Sequence, residues 1–347
     1  MNLWLLFGNR VGDNKQILAL ADAIGLPFAV KQLRFNRASA LPNVLLGETL
    51  ASVTPDARSQ LAAPWPDAVI ASGRRAVPAA RWVRAQSGGA TRLFHVGRPW
   101  APLDWFDLVV TTPQYGLPDR GNVLSNLMPM IAADAAANGV DLDAWSRRFA
   151  HLPRPWIAVM VGGNSRPYVL DAAAAARLGR MAGAAARTAG GSVIAVSAPR
   201  TGAAAFAALR AAVEAPAYFA EWGKDENPYA ALLKLADRIV VTGDSAAMAA
   251  DAARSGKPVT VFDLPVRQGL RGAFGGAFRA AADRLPPLRP AFDALVDLGL
   301  LTSVRDLGAY HRALREAGLL DGGDAAAERQ RLEIDRAAER ARALLER

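Results

Sequence analysis

Short apolar runs alternate with longer helical stretches from the first residues to about position 262, and this alternation is what most limits the folds open to the chain. The runs NLWLLF (2–7), 27–33, DAVIA (67–71), RLFHV (92–96) and DLVVT (107–111) are five to seven residues long, with helical stretches at 14–24 and 74–86. A second series follows at WIAVMV (156–161), SVIAVS (192–197), RIVVT (238–242) and PVTVF (258–262), with Ala-rich helical stretches near 171–189, 202–213, 228–235 and 245–255. Apolar runs without a polar alternate face fit strands covered on both sides, and the helices between them supply parallel crossovers. The expectation is α/β: two Rossmann-like domains, GT-B-like in plan, with C-terminal helices.

The break falls at 141–156, where DLDAWSRRFAHLPRPW carries two prolines ahead of a fresh strand and reads as a linker. The expected division is 1–148, 149–290 and a helical tail 291–347 that packs back toward the first domain. The Gly-, Pro- and Arg-rich stretch 264–290 reads as a long loop or crossover.

Composition removes several chemistries. The 347 residues include no cysteine and three histidines, so disulfides, thiolate catalysis and zinc–thiolate sites are excluded. No metal and no cofactor is expected. The net charge of +9 favours anionic partners. With 15 Lys/Arg against 11 Asp/Glu in residues 1–150, and 26 against 21 beyond, neither half is a basic tail. Phosphate-bearing small molecules and an anionic membrane face are the candidate partners, ahead of nucleic acid. MNLWLLFGNR has neither the basic start nor the cleavage site of a signal peptide. The expected setting is cytoplasmic, or peripheral at the inner face of a membrane.

Five turns carry the polar residues that chemistry needs. After the first strand, Gly8–Gln16 holds Gly12, Asp13, Asn14 and Lys15 at a βα turn, where a helix start favours anions. The spacing is neither the dinucleotide fingerprint nor a Walker loop, and Asp13 with Gln16 also suits a capping box. Ser72, Gly73, Arg74 and Arg75 follow the strand DAVIA. His95–Trp100, with Arg98, follows the next, and His95 also fits a packed core position. Gly162, Gly163, Asn164, Ser165 and Arg166 could cradle a diphosphate, and Arg200 and Thr201 repeat the arrangement one strand on. Finally, Gly243, Asp244 and Ser245 start a helix on which Asp251 lies about two turns in, within reach of a ribose, before Gly256-Lys257-Pro258.

The ordered set GDNKQ, LPNVLLG, PDAVIASGRRAVPAARW, HVGRPWAPLDWFDLVVTTPQYGLP, IAVMVGGNSRPY, NPYAALLKLADRIVVTGDSAAM and GKPV resembles the mitochondrial-fission "elongated mitochondria" family. That family is similar in turn to GT-B glycosyltransferases such as the peptidoglycan lipid-linked N-acetylglucosaminyltransferase and lipid-A-disaccharide synthase. The resemblance implies a nucleotide sugar on the second domain and an acceptor on the first, facing one another across a cleft, with transfer that needs no metal. Asp251 stands where those enzymes carry a ribose-binding Glu. Gly12-Asp13 stands where the peptidoglycan enzyme has a Gly-His pair, which makes Asp13 the candidate base. The alternative is a non-catalytic GT-B-like module that binds a nucleotide or a protein at a membrane surface, as the plant relatives act through protein recruitment.

Overall fold

The computed structural model describes residues 1–131, 139–267, 270–297 and 305–347. The chain forms two compact units. The first gathers residues 1–132, 269–305 and 330–347, and the second residues 133–268 and 306–329.

The first unit holds a six-stranded sheet of β1 (Leu3–Phe7), β2 (Phe28–Gln32), β3 (Ala68–Ser72), β4 (Arg92–Val96), β5 (Leu108–Thr111) and β6 (Val123–Ser125). Every neighbouring pair is parallel, in the order β2-β1-β3-β4-β5-β6. The helix Val11–Ile24 buries Ile17, Leu20 and Ile24 on one face, the spacing of a helical stripe. It ends at Gly25, whose left-handed φ of 76° suits glycine and whose N–H bonds back to the Ala21 carbonyl. From Gln330 onward the last helix, Ala325–Leu345, belongs to this unit. Its Ala337, Ala338 and Ala341 share a core with Leu3, Leu5, Ile17, Leu20 and Phe94. The Glu333 carboxylate accepts the backbone N–H groups of Leu127 and Met128 at 2.9 and 2.8 Å.

The second unit holds β7 (Trp156–Val161), β8 (Ser192–Ser197), β9 (Ala217–Ala220), β10 (Arg238–Thr242) and β11 (Val259–Phe262). They too are all parallel, in the order β11-β10-β7-β8-β9. Every residue of β7 and β8 is buried, which explains their unbroken apolar sequences.

Three segments differ from expectation. Residues 264–290, read as a loop, contain the helix Leu270–Arg284, because their glycines are interleaved with alanines that helices accept. The expected linker contains the helix Leu142–Phe149, capped by Asp141. Two short strands, β6 and β9, lack a long apolar run and were not expected. Residues 298–304 of the helical tail lie outside the described residues.

In both sheets the chain reverses direction across the sheet at one point, between β1 and β3 and between β7 and β10. Open parallel sheets bind ligands at the carboxyl ends of strands flanking such a reversal. The candidate residues follow those strands and their neighbours β4 and β8.

Candidate functional site

In the second unit, Gly162 and Gly163 follow β7, Arg200 and Thr201 follow β8, and Gly243, Asp244 and Ser245 follow β10. They converge around one carboxylate. Asp244 is fully buried as a side chain and pairs with Arg200 at 2.9 Å. It also accepts the Thr242 hydroxyl at 2.7 Å and the Gly163 N–H at 3.0 Å. The Gly162 N–H goes to the Thr242 hydroxyl at 2.8 Å. Burial pushes the Asp244 carboxyl above its ordinary range, against the downward pull of the Thr242 hydroxyl and the Arg200 guanidinium. A Cβ at Gly162 would overlap this carboxylate, and one at Gly163 would overlap the Arg200 carbonyl, so both positions require glycine.

The glycine N–H groups expected to cradle a diphosphate are therefore bonded inside the protein: Gly163 to the Asp244 carboxylate, Gly162 to the Thr242 hydroxyl and Gly243 to the Phe262 carbonyl. Thr201 also turns inward: its hydroxyl accepts the Ala198 N–H and donates to the Val161 carbonyl. Asn164 accepts the Leu170 N–H, Ser165 pairs with Tyr168 in a tight turn, and Arg166 is exposed. Ser245 caps the helix Ala246–Arg254 by accepting the Met248 N–H. The Arg200 side chain is about half exposed. Asp251 bonds to the Tyr229 hydroxyl at 3.1 Å and to Arg254 at 2.7 Å.

In the first unit, a cavity of about 690 Å³ opens at the carboxyl ends of β1, β3 and β4. It brings together Asp13, Asn14, Ser72, Arg74 and Arg98, and adds Arg10, Arg75, Trp100, Tyr115 and Arg305. Gly12 and Lys15 are exposed and do not line it. The helix starts at Val11 with Arg10 as its extended N-cap, so Asp13 occupies the third helical position and is not the cap. The expected capping box is absent for that reason. Asn14 instead closes the turn, its side chain bonding to both the N–H and the carbonyl of Gly8. Burial pushes the Asp13 carboxyl above the usual carboxylate range, opposed by Arg10 and then Arg305.

Arg74 is spent on structure, donating to the carbonyls of Ser39, Ala40 and Leu41. Arg98 is buried and donates to the Tyr115 carbonyl at 3.0 Å. Ser72 donates to the Val96 carbonyl. His95 is a core residue, fully buried with its ring 5.2 Å from that of Phe106. Burial holds its pKa down at about 3. A second cavity, of about 810 Å³, is lined by Asp104, Arg120, Asp283, Arg289 and Asp293. Its charges are paired with one another, Arg120 with Asp104 and Arg289 with both Asp283 and Asp293.

Residues 11–282 match the family described as Mitochondrial fission ELM1. The chain belongs to that family. A relative of this chain is the uncharacterized protein RP120 of Rickettsia prowazekii (strain Madrid E). It is 22% identical over 300 residues, which cover 76% of this chain and 84% of the relative. Among solved structures, the S. aureus MnaA–UDP co-structure aligns with a TM-score of 0.50 at 12% identity, covering 98% of this chain and 94% of that one. A putative UDP-N-acetylglucosamine 2-epimerase from Listeria monocytogenes aligns with a TM-score of 0.50 at 15% identity, covering 90% and 94%. At these identities the likeness concerns the fold, which is the expected two-sheet, GT-B-like α/β architecture.

Arg10, Arg75, Trp100, Tyr115 and Arg305 were not among the expected site residues, although Arg10, Arg75 and Trp100 stand in turns singled out above. The signal for Arg10 was available, since it adjoins Gly8 at the first turn. Tyr115 and Arg305 lie far from any of the turns and reach the cavity only through the tertiary fold. Among the described residues, no group of three or more His, Asp or Glu side chains comes together as a metal site. Among them too, no helix is long and apolar enough to cross a membrane.

Proposed function

We propose that this protein binds a nucleotide sugar on its second unit and transfers the sugar, without a metal, to an acceptor bound by its first. The observation that carries the reading is the pair of sheet reversals. Each presents its polar turns at the strand ends, one around Arg200 and Asp244 and the other around Asp13. The likeness of fold to a protein solved with UDP supports the choice of nucleotide.

In this reading the leaving diphosphate meets the exposed Arg200 guanidinium and the start of the helix Ala246–Arg254. There the Ser245 cap leaves the first two N–H groups to outside partners. Charge developing on the diphosphate is stabilised by that preorganised positive field. Asp251 keeps lone pairs beyond those used by Tyr229 and Arg254, enough to accept a ribose hydroxyl. Asp13 takes the proton from the acceptor hydroxyl as its oxygen attacks the sugar.

The test is thermal unfolding with a panel of UDP-, GDP-, ADP- and CMP-sugars. One nucleotide class should raise the melting temperature, and Arg200→Ala should remove the rise. No shift from any member would refute the donor site. One observation favours the second reading, a non-catalytic module acting at a membrane surface: the N–H groups of Gly162 and Gly163 are already taken by the Thr242 hydroxyl and the Asp244 carboxylate. That reading predicts nucleotide binding, or none, and no sugar release under any acceptor.

A further inference from the structure

The walls of the first unit's cavity are unevenly charged. Asp13 is the one carboxylate among its lining residues, against Arg10, Arg74, Arg75, Arg98 and Arg305. Arg74 gives its N–H groups to neutral carbonyls, so its charge is not cancelled by them. Arg10 and Arg75 are exposed, and their side chains make no hydrogen bond or ion pair among the described residues. Arg305 bonds to the Tyr115 hydroxyl and stands close enough to Asp13 to act on it. Like charges lining one cavity repel one another, as Arg75 does Arg74, and an anion between them relieves the repulsion.

The cavity also has a strained wall. Trp100 takes a φ of 56°, the left-handed region that bulky residues avoid. Asn43, itself buried, enforces this by donating to the Pro99 and Trp100 carbonyls at 3.1 and 3.2 Å. One side of the Trp100 ring packs against the small core of Ala282, Phe292 and Val296. Strain of this kind persists only where the surroundings over-determine it, and it gathers at ligand sites. Here it holds the Trp100 ring in the cavity wall beside the Arg98 guanidinium, 5.2 Å from the ring centre.

We propose that this cavity binds a phosphate-bearing ligand, with the phosphate on Arg10, Arg75 and Arg305 and the adjoining group against Trp100. If the transfer reading above holds, this ligand is its acceptor, and the site itself does not depend on that reading. A planar guanidinium gives paired N–H groups to phosphate oxygens, which favours arginine over lysine for this task.

The probe is inorganic pyrophosphate, titrated calorimetrically at low salt into the full chain carrying Arg200→Ala, so that any binding at the second unit is disabled. Pyrophosphate should still bind. Adding Arg10→Ala or Arg75→Ala should weaken it by about tenfold or more, the worth of a charged hydrogen bond. Arg75 has no hydrogen-bond or ion-pair partner among the described residues, so the melting temperature of Arg75→Ala without ligand should stay put, whereas Arg10→Ala also removes the charge that favours ionised Asp13 and is read by its effect on pyrophosphate affinity. Absent binding in the Arg200→Ala protein, or binding indifferent to both further substitutions, would overturn the proposal. A failed donor site appears differently, as a flat nucleotide panel with pyrophosphate binding intact. Sedimentation with phosphatidylcholine vesicles, with and without phosphatidic acid, separates the two sources of phosphate. Binding to phosphatidic acid that pyrophosphate competes away and Arg75→Ala removes would assign a lipid headgroup. Pyrophosphate binding with no vesicle binding would assign a soluble ester.

Discussion

The Asp244 carboxylate sits 3.0 Å from the Gly163 N–H, in the place an anion bound by that turn would take. The same group joins β10 to the turn after β8 through its 2.9 Å contact with Arg200. Three turns are thus held by one buried side chain. Asp244→Ala would leave the Gly163 N–H, the Thr242 hydroxyl and Arg200 without their partner. We expect a loss of about 2–3 kcal/mol in urea unfolding, the scale for breaking a buried charged network. A loss below about 0.5 kcal/mol, the range of ordinary surface substitutions, would show that the turns hold without it.

Two glycines from the candidate turns should respond in opposite directions. At Gly163 a methyl group would overlap the Arg200 carbonyl, which is backbone and cannot swing away. Gly163→Ala should cost about 1–3 kcal/mol, as overpacking does. At Gly12 the same methyl meets nothing within 4 Å, and the residue lies in the first turn of the helix Val11–Ile24. Gly12→Ala should be neutral or stabilising by up to about 1 kcal/mol, through lower unfolded-state entropy. Thermal melts of the two variants check both signs.

The strands were legible because parallel strands buried on both faces have near-unbroken apolar sequences, as in β7 and β8. β6 and β9 are short edge strands whose residues are mostly half exposed, and nothing in their sequence separates them from loop. The turns were legible as positions, since strand ends and glycines mark them. Their internal bonding was not. Whether Gly163 faces a ligand or Asp244 depends on how β7 and β10 lie side by side. The helix start at Val11 was missed because Asn14, and not Asp13, closes the first turn. The polar string Asp13-Asn14-Lys15-Gln16 offers either choice. Arg305 reaches the first cavity from a segment nearly 300 residues from Gly8, a distance no local pattern spans.

Acid should unfold this protein through its histidines. His95 and His311 are both buried, and burial lowers their pKa values from 6.5 to about 3 and about 4. Above pH 6.5 both are neutral, folded or unfolded, and the native state bears no penalty. Below 6.5 the unfolded chain takes up protons that the folded chain refuses. Stability is therefore lost as pH falls from about 6.5 toward 4 and 3, at about 1.4 kcal/mol per pH unit for each group fully engaged. His95→Leu, an apolar side chain beside Phe106, should flatten the dependence of melting temperature on pH in that window. A slope equal to the wild type's would show that His95 is not a source of the acid sensitivity.

Asp13 decides between an enzyme and a binding module. Its carboxyl lines the first unit's cavity from the third position of the helix, so it is not occupied as a cap. Burial raises its pKa, which moves a carboxylate toward the range where a general base works well at neutral pH. Asp13→Asn keeps the shape and removes the base. If Asp13 takes the acceptor proton, turnover should fall by about 10²–10⁴-fold. Donor affinity, which depends on Arg200 in the other unit, should hardly change. Stability provides an independent reading of its sign. A carboxyl whose folded pKa lies above the unfolded value gives stability only at low pH and loses it as pH rises through the folded pKa. Where Asp13 is ionised its burial is thus a net cost, which Asn removes. Against this stands the loss of a negative charge in a helix's first turn, worth about 0.3–1 kcal/mol. The two act in opposite directions, so the melting temperature of Asp13→Asn at pH 7 is measured beside turnover, and a drop in turnover with the melting temperature retained could not be blamed on unfolding. In the active protein, the acidic limb of the pH–rate profile should lie above the ordinary carboxylate range and follow Asp13. Turnover near wild type in Asp13→Asn would assign Asp13 to balancing the arginines around it and leave the base to another residue.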